Sequence, residues 1–253
     1  MAGVQPSRVE VLERGDLFFL YRPDVEEFPP HGLLDVRRFY MVLRPQGEDR
    51  LRLLAIGKKK LPGAGEAGQR HWGFVAQVAR EPEQLREELG GPTEARPERP
   101  LAWARPAGEG VYALVRHGNH THLAYVLGLP ERLGEVQRAF NIAHEGRFVL
   151  ALKNPEAASP VGVGLDEGQQ ADFPDQLKAK FGDRRWLAVD PPAFLDYAGA
   201  EVVLIGGRDD LGTDLGLDLQ PPPEDESRAE VFKDLHLEKS ERTIRPLFEG
   251  TWE

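Results

Sequence analysis

The sequence predicts a β-rich α+β protein: two similar antiparallel-sheet halves, a few short helices and a C-terminal helical arm. Three observations predict it. Short apolar runs, rich in aromatic and branched residues, recur between clusters of Gly, Pro and acid. Helical spacing appears only in brief stretches. The order of runs before residue 92 is echoed after residue 93, as an internal duplication would leave it.

The first half reads as four strands. GDLFFLYRP is bounded by Gly15 and Pro23, and PDVEEFPPHGLLD then reads as a loop. RRFYMVLRP and RLRLLAIG follow, joined by PQGED, which has the composition of a hairpin turn. LPGAGEAGQ is a second loop and HWGFVAQVA the fourth strand. EPEQLREELGG is a short helix, with Leu85 and Leu89 at i, i+4 and Gly90 as its stop. GGPTEARPERP, from Gly90 to Pro100, is the linker between halves.

The second half starts over. EGVYALVR and HLAYVLGLP form a hairpin across HGNHT, EVQRAFNI supplies a turn or two of helix, and GRFVLALKNP is a strand. In FPDQLKAKFGD, Phe173, Leu177 and Phe181 fall at i, i+4, i+8, the stripe of an amphipathic helix. RRWLAVDPP and AEVVLIGG are the last two apolar runs. Aligning Arg22 with Arg116 sets LFFLYR beside VYALVR, and aligning Tyr40 with Tyr125 sets FYMVLRP beside AYVLGLP. RLLAIGK then matches VLALKNP loosely after an insertion. The expected division is residues 1–92, 93–219 and a C-terminal arm, 220–253. After three prolines the arm has a helix capped by Asp225 or Ser227 and running to Lys239, with Val231, Phe232 and Leu235 as its apolar stripe. Leu247, Phe248 and Trp252 are apolar enough to dock on the body or on a second subunit of a homodimer.

Composition narrows the function classes. A chain of 253 residues with 40% hydrophobic and 29% charged residues can bury a core without staples. The absence of cysteine excludes disulfides, thiolate metal sites and cysteine nucleophiles. Its 24 Arg against 8 Lys give it a thermophile-like composition. The start, MAGVQPSRVEVLERGD, lacks the apolar core of a signal peptide, and no apolar run is long enough to span a bilayer, so a cytoplasmic, soluble protein is expected. The net charge of −10 lies wholly after residue 110, where 15 basic residues face 25 acidic ones. Nucleic acid is therefore not an expected partner. A local exception runs from Arg37 to Arg70, with nine Lys/Arg against three Asp/Glu. It includes GKKKLPG, where Trp72 and Phe74 follow as bases' potential stacking partners, although lysines guarding a strand edge account for the run as well.

The histidines in VRHGNHTHLAY are the sharpest candidates. His120 and His122, two apart on a strand, project from one face, and His117 lies across the turn. Neutral imidazoles so placed suit a divalent metal, yet no Glu or Asp-His completes a hydrolase pattern, and a polar hairpin tip is the plainer reading. Under the duplication, Asp35 aligns with His120 and Arg37 with His122, so Asp35, Arg37, Arg38, His117, His120 and His122 become a candidate site for an anion. VVLIGGRDDLG and GKKKLPGAGEAGQRHWG fail as phosphate loops because no helix follows their glycines, and Ser159 has no nucleophile-elbow context. No complete catalytic constellation is present, which leaves open whether the chain is an enzyme. The leading expectation is a non-catalytic binding or regulatory module for a small anionic ligand or another protein, with no resident cofactor. A metal-dependent hydrolase using His117, His120 and His122, and an interaction protein docking through its arm, are the alternatives.

Overall fold

The computed structural model describes residues 9–24, 30–63, 68–90, 102–160, 162–206, 217–221, 229–237 and 239–252. The apolar runs become nine strands: β1 (Val9–Pro23), β2 (Val36–Pro45), β3 (Leu51–Ile56), β4 (Arg70–Ala79), β5 (Arg105–His117), β6 (His120–Leu129), β7 (Glu145–Lys153), β8 (Trp186–Ala188) and β9 (Glu201–Gly206). Short helices lie between them: α1 (Arg86–Leu89), α2 (Glu135–Ala139), α3 (Asp175–Phe181), α4 (Glu230–Asp234) and α5 (Glu241–Phe248).

All the strands belong to one sheet, in the order β6-β5-β1-β2-β3-β4-β9-β7-β8, and β7 also pairs with β6. That last pairing closes eight antiparallel strands into a barrel, with β8 extending the β6 side of β7. The two expected halves are thus two meanders, β1-β2-β3-β4 and β5-β6-β7-β9, sealed to each other at β1–β5 and at β4–β9. Closure satisfies the edge strands that each meander alone would expose.

Period-2 alternation sorts side chains between lumen and exterior. On β1, Leu17, Phe19 and Tyr21 enter one apolar cluster while Phe18 and Leu20 enter another. These strands read as continuous apolar runs because both faces of β1-β2-β3 are covered. Eight strands leave a lumen that side chains can fill. At one end Phe140 stacks on Phe39 at 4.6 Å, and Trp252 meets Tyr21 edge-on at 5.4 Å. At the other end, Phe173 and Phe181 from the α3 segment meet Phe194 of the 3-10 turn Pro192–Asp196 at 5.3 and 5.5 Å. Arg52, on the lumen face of β3 and 1% exposed, holds this turn through Asp196 and ties it to Glu13 of β1.

The outer face of β1-β2-β3 is covered by Leu85 and Leu89 around α1, and by Val231, Leu235, Leu237 and Leu247 from the C-terminal segment. The buried Glu109 carboxylate accepts from the backbone N–H groups of Glu230 and Val231 and fixes the start of α4. The single helix expected through Lys239 does not form. The chain leaves α4 after Asp234 and turns at His236, whose φ of 49° is left-handed. Its expected caps, Asp225 and Ser227, lie outside the described residues, as does the linker from residue 91 to 100. Beyond α5, Gly250 (φ 68°) lies against Gly134, where an added Cβ would come within 2.5 Å of the Gly134 Cα. This close approach threads Trp252 into the lumen mouth. Among the described residues, no helix is long and apolar enough to cross a membrane.

Candidate functional site

With the outer face of β1-β2-β3 covered, an open stretch of the exterior lies on β4-β9-β7. Here Trp72, Val203, Ile205, Val149 and Ala151 point outwards, opposite in parity to the lumen residues Val202, Leu204, Leu150 and Leu152. They floor a groove of about 790 Å³, a size typical of small-molecule sites. Its walls are β8 with the preceding Arg184 and Arg185, Pro160 from the loop after β7, and the β5–β6 hairpin tip with Arg116 and His120.

Two features set its chemistry. Trp72 and Trp186, both half-buried, meet edge to face with centroids 5.3 Å apart, giving a ring surface at the groove wall. Among the described residues, four arginines, Arg70, Arg116, Arg184 and Arg185, line the same groove against one acid, Asp190. In a chain of net charge −10 this is a local reversal of sign, and a concave, part-apolar wall focuses such a field.

The arginines are held unequally. Arg116 is paired, donating to Asp190 Oδ2 at 2.7 Å and to Glu10. Arg184 donates from Nε to the Phe181 carbonyl at 3.2 Å, and Arg185 from Nη2 to the Ala158 carbonyl at 2.8 Å. Backbone carbonyls anchor these side chains without neutralising them. Arg70 is exposed, and its side chain makes no hydrogen bond or ion pair with another described residue. At the far end of β7 and β9, Lys153 Nζ and Glu201 Oε2 form a buried ion pair at 2.9 Å. Glu201 Oε1 also accepts from the Leu165 N–H at 3.0 Å and so pins the loop that carries Pro160.

The residues singled out in the sequence fall elsewhere or at the rim. Asp35 closes the turn before β2, accepting the His31 N–H at 2.7 Å. Arg37 and Arg38 are exposed at the start of β2. The histidines sit at the opposite end of β1, because Val9 pairs with His117 whereas Pro23 pairs with Val36. Antiparallel pairing across β1–β5 thus leaves the start of β2 and the β5–β6 tip at opposite barrel ends, so the structure does not bring the Asp35–Arg38 group to the histidines.

His117, His120 and His122 do share the outer face of the hairpin, and the His117 and His122 rings lie 6.0 Å apart. Among the described residues, the only three ligand atoms of His, Asp or Glu side chains mutually within 4.8 Å belong to Asp16, Glu230 and Asp234. That acidic set receives Arg44, which pairs with Asp16 and Asp234 and clasps α4 to the barrel. His122 is 9% exposed. Its pKa is pushed down to about 4, chiefly by burial and further by Arg147, His117 and His120. Of the three histidines, His120 alone lines the groove, beside the turn Gly118-Asn119.

The signal for the groove was present as two Arg-X-Trp tripeptides, Arg70-His71-Trp72 and Arg184-Arg185-Trp186. Spacing of two places Arg70 and Trp72 on one face of β4. No protein-family model, curated protein or solved structure matches this chain.

Proposed function

We propose that this protein is a non-catalytic binding module for an anionic ligand, taken up in the groove on the outer face of β4-β9-β7. The observation that carries this reading is the convergence of four arginines on one tryptophan-lined groove of an otherwise acidic chain. Guanidinium groups grip phosphate and carboxylate through planar pairs of N–H donors, and Arg70, Arg184 and Arg185 keep donors for that task. The two meanders are further proposed to descend from one duplicated four-strand unit; the pairing of β1 with β5 and of β4 with β9 supports this.

Calorimetric titration of the full chain with pyrophosphate tests the function. Binding should weaken at least tenfold in the Arg70→Gln/Arg185→Gln double variant, at unchanged melting temperature. Equal affinity in the double variant, or no binding by the native chain at low salt, rejects the groove as an anion site.

A further inference from the structure

We propose that the ligand of this groove is a nucleotide, its base carried by the tryptophan pair and its phosphate by the arginines; this rests on the anionic-ligand reading above. Charge alone does not account for the site. A groove serving only an inorganic anion has no use for Trp72, Trp186 and a floor of Val149, Ala151, Val203 and Ile205. Nor does a simple aromatic carboxylate match it. One carboxylate satisfies one guanidinium bidentately, whereas Arg70, Arg184 and Arg185 all present charge that no acidic partner among the described residues neutralises. A phosphate ester joined to a flat heterocycle uses both halves.

The spacing agrees. Arg70 and Trp72 stand two residues apart on one strand face, about 6.6 Å at the rise of a β-strand, which leaves a sugar's width between a stacked base and its phosphate. Arg184 and Arg185 repeat the arrangement from the other wall beside Trp186. Because the two indoles meet edge to face, a base stacks on the open face of one ring rather than between the two. Asn119 and His120, exposed at the hairpin tip, add hydrogen-bonding groups at the rim for base edges or ribose hydroxyls.

The nucleotide has two sources, a free nucleotide or one residue of a single strand. The Lys58–Lys60 turn separates them. It abuts the start of β4, where the Gly57 N–H donates to the Trp72 carbonyl at 2.8 Å and His71 Nδ1 lies 2.7 Å from the Lys60 carbonyl. A strand leaving the groove past Arg70 meets these lysines, while a free nucleotide stops short of them.

The test titrates the full chain with AMP, ATP, ribose 5-phosphate, pyrophosphate and a ten-nucleotide single strand, read by calorimetry and tryptophan quenching. AMP should bind at least tenfold tighter than ribose 5-phosphate and quench tryptophan emission. Trp72→Leu should cost AMP about tenfold in affinity and leave pyrophosphate binding unchanged. Trp186→Leu serves as the second variant should the first fail to fold. Replacing Lys58, Lys59 and Lys60 by Gln should weaken the single strand alone if the source is a strand, and should weaken nothing if it is a free nucleotide. Should AMP bind no better than ribose 5-phosphate, or should folded tryptophan variants keep full AMP affinity, the nucleotide assignment is overturned while pyrophosphate binding preserves the anionic groove. Failure of every anion overturns both.

Discussion

Arg52 and Asp196 meet inside one end of the barrel, with the guanidinium Nε 2.7 Å from the carboxylate Oδ1. The same guanidinium donates to Glu13 Oε1 at 2.6 Å, and Glu13 in turn accepts the Tyr112 hydroxyl at 2.7 Å. Arg52 is thus shared between two largely buried carboxylates, and Asp196 also receives the half-exposed Arg50. Burial and the adjacent Glu13 push the Tyr112 hydroxyl pKa well up, so Tyr112 stays a donor.

Arg52→Ala is expected to destabilise the fold by about 3 kcal/mol, because it strips Glu13 of its cation and leaves Asp196 with Arg50 alone in a largely buried site. Urea melts measure this. The triple change Arg52→Met, Glu13→Gln and Asp196→Asn should recover a large part of the loss. A single variant with native stability would show that the cluster is solvated.

Trp252→Ala should cost about 3–5 kcal/mol, the usual range for emptying a buried aromatic site. Its ring is 6% exposed and packs against Tyr21 and Phe140. Gly250→Ala should be destabilising as well, since φ is 68° and Gly134 occupies the space a Cβ needs. Both are checked by thermal melts, with a blue-shifted Trp252 emission expected in the native chain only.

Lys153→Met should destabilise by about 3–5 kcal/mol, because Glu201 then remains charged and buried. The loop carrying Pro160 should exchange its amide hydrogens faster in this variant, since Glu201 Oε1 holds the Leu165 N–H. Glu201→Leu added to Lys153→Met should restore stability but not the protection of Leu165. Hydrogen exchange by mass spectrometry separates the two effects.

His122 gives the pH dependence. Its folded pKa is about 4 against an ordinary 6.5, so the unfolded chain binds more protons between those values. Stability from this residue is complete above pH 6.5 and falls as the pH drops towards 4. His122→Asn should therefore lose less stability between pH 7 and pH 4.5 than the native chain does. Parallel slopes in the two proteins, or a His122 ring that titrates near 6.5 by NMR, would contradict this.

The strands were legible because burial on one or both faces writes them as apolar runs. LFFLYR, FYMVLR and RLLAI needed no knowledge of their neighbours. Barrel closure was not legible, since the β4–β9 seam depends on a pairing of distant segments that leaves no local mark. The groove was hidden for a related reason. Trp72 and Trp186 lie far apart in sequence, and runs that are apolar at every position do not disclose which alternate residues face outwards. The histidines drew attention by their density, although a hairpin tip brings side chains near one another without aiming them at a common point. The helix through Lys239 failed at His236, where a left-handed residue breaks a pattern that periodicity alone continues.

The seam between β4 and β9 has a consequence for how the site comes into being. Trp72 lies on one side of it and Val203 directly opposite on the other, paired across the ladder. Joining them requires the intervening strands β5 to β8 to be folded or looped out, so closure carries a large loop entropy and is a slow, late event. The groove does not exist before that event. A ligand held across the seam consequently binds only the closed barrel and stabilises it by mass action. Strand separation at this seam would thus be linked to binding of the proposed ligand, and saturating anion should slow exchange of the β4 and β9 amides more than those of β1 and β2.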